Sequence, residues 1–383
     1  MNQNLRISKL KLNNYRNHKY INITPEKDII LISGKNGSGK TNILESISLF
    51  DSNSGFRNAN FSELINYNMK GPLELFGVNL CLFKGHEKTE LGVGVASHEK
   101  VLKKIVSINK QKNRTLKNLM NVFWMLPEMA HLFQGPPELR RSFLDSMISS
   151  TNNLHKKRLA EYKKFKNERL KILKSSEFLS NENWLDVVEK KMSETGIIIS
   201  DSRRIFLNNL NKSFSKIDDQ IPILLLKLNG SIDILLNQKP ALYVEEFLCE
   251  KLRENRFKDR VSGRTNFTVN KTDLLIFDKD SNKEAKNFST GEQKIIIISI
   301  IFSFLKILEN IKDTKVLFLL DDIFSYLDYR FIKNIVEKLV ELKLQTWITD
   351  VKLNQSSRIE KFDSIIHNIN IDDYRFKVLN NQL

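Results

Sequence analysis

Eight residues, GKNGSGKT from Gly34 to Thr41, constrain this chain more than any other stretch, because they fit the spacing G-x-x-x-x-G-K-[ST]. Glycines at 34, 37 and 39 open backbone conformations closed to other residues, so successive N–H groups can turn inward around phosphate oxygens. In such a loop Lys40 reaches the β- and γ-phosphates and Thr41 offers its hydroxyl to Mg²⁺. Lys35, Asn36, Ser38 and the following Asn42 complete the run expected to hold ATP. The motif requires a strand before it and a helix after it. DIILIS, residues 28 to 33, is an apolar run suited to a buried strand, and TNILESISLF places Ile43, Leu44, Ile47 and Phe50 at helical spacing. That helix would aim its positive end at the same anion. Two further strands, LRISKLKLNN and HKYINIT, precede the loop, with NNYRN as the turn between them. Arg16 in that turn reads more readily as solvated than as a nucleotide contact.

The complement of the loop lies far downstream in FLLDDIFSYLD. Val316 to Leu320 is a strand-like run ending in Asp321 and Asp322. A carboxylate at the end of such a strand is where a phosphate-loop ATPase holds Mg²⁺, which makes Asp321 the metal candidate. Asp322 is then the catalytic candidate, orienting or activating the attacking water.

About 250 residues separate Lys40 from Ser289, more than a compact ATPase lobe needs, so a second lobe is expected between them. Residues 154 to 174 place Leu159, Tyr162, Phe165, Leu170 and Leu173 at roughly helical spacing among many Lys and Arg residues, and 181 to 214 continue helically. The apolar spacing drifts too soon for a long coiled coil, which predicts a short helical arm. Its basic face has two readings, a solvated amphipathic surface or, if it faces a cleft in a dimer, a contact with phosphates that would be sequence-independent, since no base-reading motif is visible. Pro136 and Pro137 suit a helix start, which sets Arg141 one turn from Asp145 as a structural ion pair. Phe143, Leu144, Met147 and Ile148 read as core.

Composition narrows the class further. The net charge is +16 from 61 Lys and Arg against 45 Asp and Glu, which suits a polyanionic partner, although a chain rich in Lys, Asn and Ile owes part of that excess to A/T-rich codons. The most apolar stretch, Ile295 to Leu305, is too short to cross a bilayer. No secretory pattern opens the chain, and Cys81 and Cys249 stand without metal-ligand or disulfide spacing, so a reducing cytoplasm is expected. The six histidines are scattered and no nucleophile motif competes with the phosphate loop.

Five stretches together resemble the RecF family of SMC-like, ATP-binding-cassette-type ATPases. They are NNYRNH, GKNGSGKTNILESI, WMLPEMAHLFQGPPELRRSFLDSMI at 124 to 148, STGEQK and LLDDIFSYLD. The resemblance implies an α/β fold, a phosphate-loop ATPase head carrying an inserted mainly helical lobe, divided as 1–115 and 261–383 for the head and 116–260 for the arm. It makes Ser289, Thr290, Gly291 and Glu292 a signature loop that closes over the nucleotide of a second subunit, and Asp328 the short loop after the acidic motif. It further implies an ATP-dependent homodimer acting on DNA at gaps, junctions and stalled forks, in DNA repair and the SOS response, with RecO and RecR as companions. Three departures stand out. The family's GPHRxDL run reads TVNKTDL at 268 to 274, keeping only Lys271, Asp273 and Leu274 as similar; TWITD at 346 to 350 lacks the histidine of transporter cassettes; and Asp322 stands where transporters carry glutamate. The shorter side chain predicts slow hydrolysis, with ATP acting as glue and turnover as a release timer. Two other readings stay open: an SMC-like ATPase coupled to a nuclease, and a DNA clamp that binds ATP without hydrolysing it.

Overall fold

Strand alternation builds the first sheet of the computed structural model, which describes residues 5–51, 55–57, 59–66, 75–98, 101–112, 119–125, 132–176, 180–214, 222–309, 311, 316–322, 329–341, 343–350 and 364–373. The chain forms two compact units, one from 1–127 with 308–383 and one from 128–307. In the first unit, β1 (Leu5–Tyr15), β2 (His18–Ile23), β4 (Gly77–Lys84), β5 (Glu87–His98), β6 (Val101–Ile108) and β7 (Gln111–Lys112) make an antiparallel sheet in the order β2-β1-β4-β5-β6-β7. Ile7 pairs with Leu82 and Lys9 with Cys81, so Ser8 is an extra residue that bulges out of β1. The bulge switches parity: Leu5 and Ile7 before it and Leu10 and Leu12 after it are all buried. Without it, Lys9 and Lys11 would point into the core.

The second sheet is parallel, in the order β13-β3-β12-β11-β8, from β3 (Ile29–Ser33), β8 (Asn121–Met125), β11 (Val316–Asp321), β12 (Thr346–Thr349) and β13 (Ile366–Asn370). Every residue of β3, β11 and β12 is buried, as parallel strands covered on both faces require. Helix α1 (Lys40–Ser48) lies against β11 and β12, with Ile43, Leu44 and Ile47 fully buried. The short α2 (Phe61–Leu64) and the amphipathic α10 (Tyr329–Glu341) also belong to this unit. The expected strand, loop and helix all form. The turn after β1 is tighter than expected, because β1 runs on through Tyr15.

The second unit is mainly helical: α3 (Pro137–Thr151), α4 (Asn153–Lys174), α5 (Glu182–Ser213), α6 (Ser231–Leu236), α7 (Ala241–Glu254), α8 (Arg256–Ser262) and α9 (Thr290–Glu309), whose last two residues fall in the first unit, with an antiparallel pair β9 (Leu224–Asn229) and β10 (Asp273–Asp278). This division differs from the sequence boundaries at 115 and 260. The segment 261–307 groups with the helices because β10 pairs with β9 and packs on α3. Tyr162, Met192, Leu248 and Val269 form its apolar centre. No helix among the described residues is long and apolar enough to cross a membrane.

Ion pairs inside this unit correct one expectation. Asp145 is not paired with Arg141; Arg203 of α5 grips it through two bonds of 2.8 and 2.7 Å, and His155 lies 3.0 Å away. A guanidinium fork arriving from another helix matches the carboxylate better than a neighbour one turn away. Arg141 instead donates to the Thr272 carbonyl at 3.1 Å, and Arg140 forks onto Asp273 at 2.8 and 3.0 Å. The retained Asp273 of the divergent 268–274 run therefore anchors the RRSFLD helix. Arg169, fully buried on α4, is held by Glu189, Asp259 and the Leu252 carbonyl at 2.8, 2.7 and 2.6 Å.

Candidate functional site

The carboxyl edge of the parallel sheet collects the loop, the acidic pair and several groups that the sequence alone did not single out. After β3 the chain enters the loop through Gly34, and Lys35, Asn36 and Gly37 form its exposed lip. Gly39 adopts φ 98°, and a β-carbon there would overlap the Asn17 amide and the His18 ring. Both conformation and space close that position to any side chain. The crowding comes from the turn between β1 and β2, which braces the loop. Asn17 Nδ2 donates to the Ser38 carbonyl at 3.0 Å, Asn42 Nδ2 donates to Asn17 Oδ1 at 2.8 Å, and His18 Nε2 lies 3.0 Å from the Gly39 carbonyl.

Arg16 is not left to solvent. Its Nη2 and Nε donate to Glu45 at 2.6 and 2.9 Å, and its Nη1 donates to the Glu63 carbonyl at 2.9 Å. Glu45 is fully buried on α1, and a buried carboxylate needs a fixed cation beside it. Arg57 stands 3.6 Å from the same carboxylate and donates to Asn42 Oδ1 at 2.9 Å. Arg16 thus ties α1 to the turn between β1 and β2, and Arg57 ties it to the turn at 55–57 that follows the helix.

Lys40 Nζ donates to the carbonyls of Gly34 and Lys35 at 2.8 and 3.0 Å, folding back over the loop it belongs to. Burial lowers the pKa of its ammonium, while Asp322, Asp372, Asp321 and Asp350 act in the opposite direction. Asp372, just past β13, accepts from the Lys35 N–H at 3.0 Å.

The acidic strand meets the loop directly. Thr41 Oγ1 donates to Asp321 Oδ1 at 2.9 Å, and Thr349 Oγ1 at the end of β12 donates to the same oxygen at 2.5 Å. Burial raises the pKa of the Asp321 carboxyl, and those two hydroxyl bonds, Thr349 first, pull it back. Asp322 takes φ 49°, a left-handed conformation that aspartate tolerates, and its N–H donates to the Thr349 carbonyl and hydroxyl at 3.1 and 3.0 Å. One threonine therefore fixes both acids. TWITD drew notice for a missing histidine, whereas its polar Thr349, ending an apolar strand, was the available signal. Asn17 and His18 lay in NNYRNH and carried no separate chemical signal. Asp328 lies outside the described residues.

The signature run belongs to the other unit and opens α9. Ser289, Thr290, Gly291 and Glu292 are all exposed. Ser289 N–H and Oγ both donate to Glu292 Oε2, at 2.7 and 2.6 Å, a capping box that starts the helix and lowers the pKa of the Glu292 carboxyl. A β-carbon on Gly291 would meet nothing within 4 Å.

Residues 6–371 match the family described as the RecF/RecN/SMC N-terminal domain. Over 363 residues the chain is 32% identical to the DNA replication and repair protein RecF of Rickettsia typhi (strain ATCC VR-144 / Wilmington), covering 92% of this chain and 96% of that one. The chain belongs to the RecF family. The RecF of Rickettsia akari (strain Hartford) is 31% identical over 371 residues, with 94% and 98% covered. Among solved structures, the recombination mediator protein RecF-ATPrS in the RecFOR pathway aligns with a TM-score of 0.77 at 23% identity, covering 97% of this chain and 98% of that one. An Smc head domain from Pyrococcus furiosus, with an extended coiled coil and bound to the C-terminal domain of ScpA, aligns with a TM-score of 0.54 at 16% identity over 98% and 99%. RecF membership agrees with a phosphate-loop head carrying a mainly helical insert.

Proposed function

We propose that this RecF-family chain is an ATP-dependent DNA-binding protein of recombinational repair and replication restart, in which ATP joins two copies on DNA and slow hydrolysis releases them. The observation that carries the nucleotide part is the bond from Thr41 to Asp321, which brings the loop and the acidic strand to one point. Gly34 to Asn42 would hold the triphosphate. Thr41 and Asp321 offer two hard oxygens, the donor set that Mg²⁺ takes alongside substrate phosphates. When bound, the cation neutralises charge developing on the phosphates. Lys40 would exchange its two carbonyl partners for phosphate oxygens.

The trans role of Ser289 to Glu292 draws support from Gly291. Nothing among the described residues crowds that position, so a glycine there makes sense where a second molecule's ligand comes close to the backbone. Exposure of the whole turn leaves it open to such a partner. The repair context and the companions RecO and RecR draw support from relatives named as DNA replication and repair proteins and from a RecF of the RecFOR pathway; action at DNA gaps or junctions and a cytoplasmic setting belong to the same proposal.

Asp322 would position the attacking water, making the chain a weak, DNA-dependent ATPase. Single-turnover hydrolysis by Asp322→Asn tests this: a fall of about a hundredfold, with ATP still bound, is expected for loss of a base. Equal rates for wild type and variant would favour a clamp that binds ATP without meaningful hydrolysis.

A further inference from the structure

The outer face of the antiparallel sheet carries a groove of about 840 Å³. Its lining includes Lys9, Lys11, Lys88 and Lys110 against a single carboxylate, Glu90, which Lys88 holds at 3.1 Å. Strand register lays these out in rows. One row runs Lys11, Asn79, Gly92, Ser107 and Lys112 across five strands, and the next runs Lys9, Cys81 and Glu90. At ~4.8 Å between strands, the lysines closing the first row stand roughly 19 Å apart at the backbone. Along that row the floor, Asn79, Gly92 and Ser107, is small and polar, while Leu80, Phe83 and Leu91 also line the groove. A β-carbon on Gly92 would overlap Ser107 Oγ and come within 2.9 Å of Asn79 Oδ1, so that position stays flat.

The bulge at Ser8 makes this face basic. By switching parity between Ile7 and Lys9, it turns Lys9, Lys11 and Asn13 outward while the apolar residues stay inside. Core packing does not require lysines at the outward positions. Four lysines against one carboxylate, which Lys88 already holds, leave the groove net positive, and that suits an extended polyanion.

We propose that this sheet face is a nucleic-acid docking surface that receives the sugar-phosphate backbone of DNA through Lys9, Lys11 and Lys110. The inference rests on the DNA-binding reading above and locates that contact on the strands, in addition to the lysines of α4. Contact with backbone phosphates makes it independent of sequence and sensitive to salt.

The two cysteines supply the test, since Cys81 lies in the groove and Cys249 lies on α7. Maleimide modification of both would be followed by mass spectrometry with ATP present, with and without a 40-base-pair duplex. DNA is expected to slow modification of Cys81 at least tenfold and leave Cys249 unchanged. In parallel, Lys9→Glu/Lys11→Glu/Lys110→Glu should weaken DNA binding at least tenfold and reduce the slope of log K against log salt by about 2 to 3. DNA bound with Cys81 still reactive would overturn this surface and leave the functional reading intact. No DNA binding at any salt would overturn the functional reading itself. Protection of Cys81 by polyglutamate but not by DNA would assign the face to an acidic protein and overturn the proposal. The footprint uses the unaltered protein, so it decides the question even if the triple variant fails to fold.

Discussion

At the scale of single residues, Thr349 deserves as much weight as the acids it serves. It donates to Asp321 and accepts from the Asp322 N–H, so Thr349→Val, which keeps the branched shape, removes a hydroxyl from a buried carboxylate. Such bonds are worth roughly 1.5 to 3 kcal/mol, and nucleotide affinity should fall about tenfold or more in a titration. Unchanged affinity would show that Asp321 needs no such support. Asp145 makes a stability statement of a different kind. Burial alone would raise its carboxyl, but Arg203 and His155 bring the pKa down to about 2 from an ordinary 3.8. Its contribution is therefore complete above about pH 4 and lost as pH falls toward 2, worth about 2.5 kcal/mol at ~1.4 kcal/mol per unit. Acid unfolding of Asp145→Asn should lack that component; an identical acid limb would deny it. These residues also mark what the sequence conceals. Asp145 sits one turn from Arg141, and local spacing favoured that pair, but its partner is 58 positions away on α5. Arg16 misled for the same reason, because Glu45 is buried only once α1 has packed.

At the scale of elements, legibility followed locality. The strand β3, the loop and α1 were readable because each is specified by neighbours in sequence: an apolar run, glycines, then apolar residues at helical spacing. The brace formed by Asn17 and His18 was not, since it depends on how β1 and β2 lie over the loop. Gly39 ties both lessons together. Gly39→Ala adds a β-carbon where φ is 98° and where two side chains already stand. The strain should cost more than about 1 kcal/mol of stability and shift the loop, abolishing measurable ATP binding while the protein remains folded by circular dichroism. Full ATP affinity in that variant would mean that the loop relaxes without consequence. In the helical unit, the RRSFLD helix and the 268–274 run looked like separate motifs. Arg140 with Asp273 and Arg141 with the Thr272 carbonyl join them, which gives the surviving part of the divergent run a structural task.

At the scale of the whole molecule, the fold class and the existence of two lobes were legible, while the boundaries were not. The segment 261–307 holds the STGEQK run that resembles a head signature, but its strand β10 pairs with β9 and so it packs with the helical unit. Charge pointed toward a polyanion without locating it, because period-two alternation in β1 is interrupted at Ser8 and only pairing with β4 reveals which lysines face outward. The central claim is that ATP lies between two copies, cradled by Gly34 to Thr41 of one and covered by the Ser289 turn of the other. Sedimentation velocity with and without ATP and Mg²⁺ tests it most directly, with Lys40→Met as control. Wild type is expected to move from the mass of one 44.7 kDa chain to that of two when ATP is added, and Lys40→Met to stay at one. A wild-type mass unaffected by saturating ATP would contradict the claim.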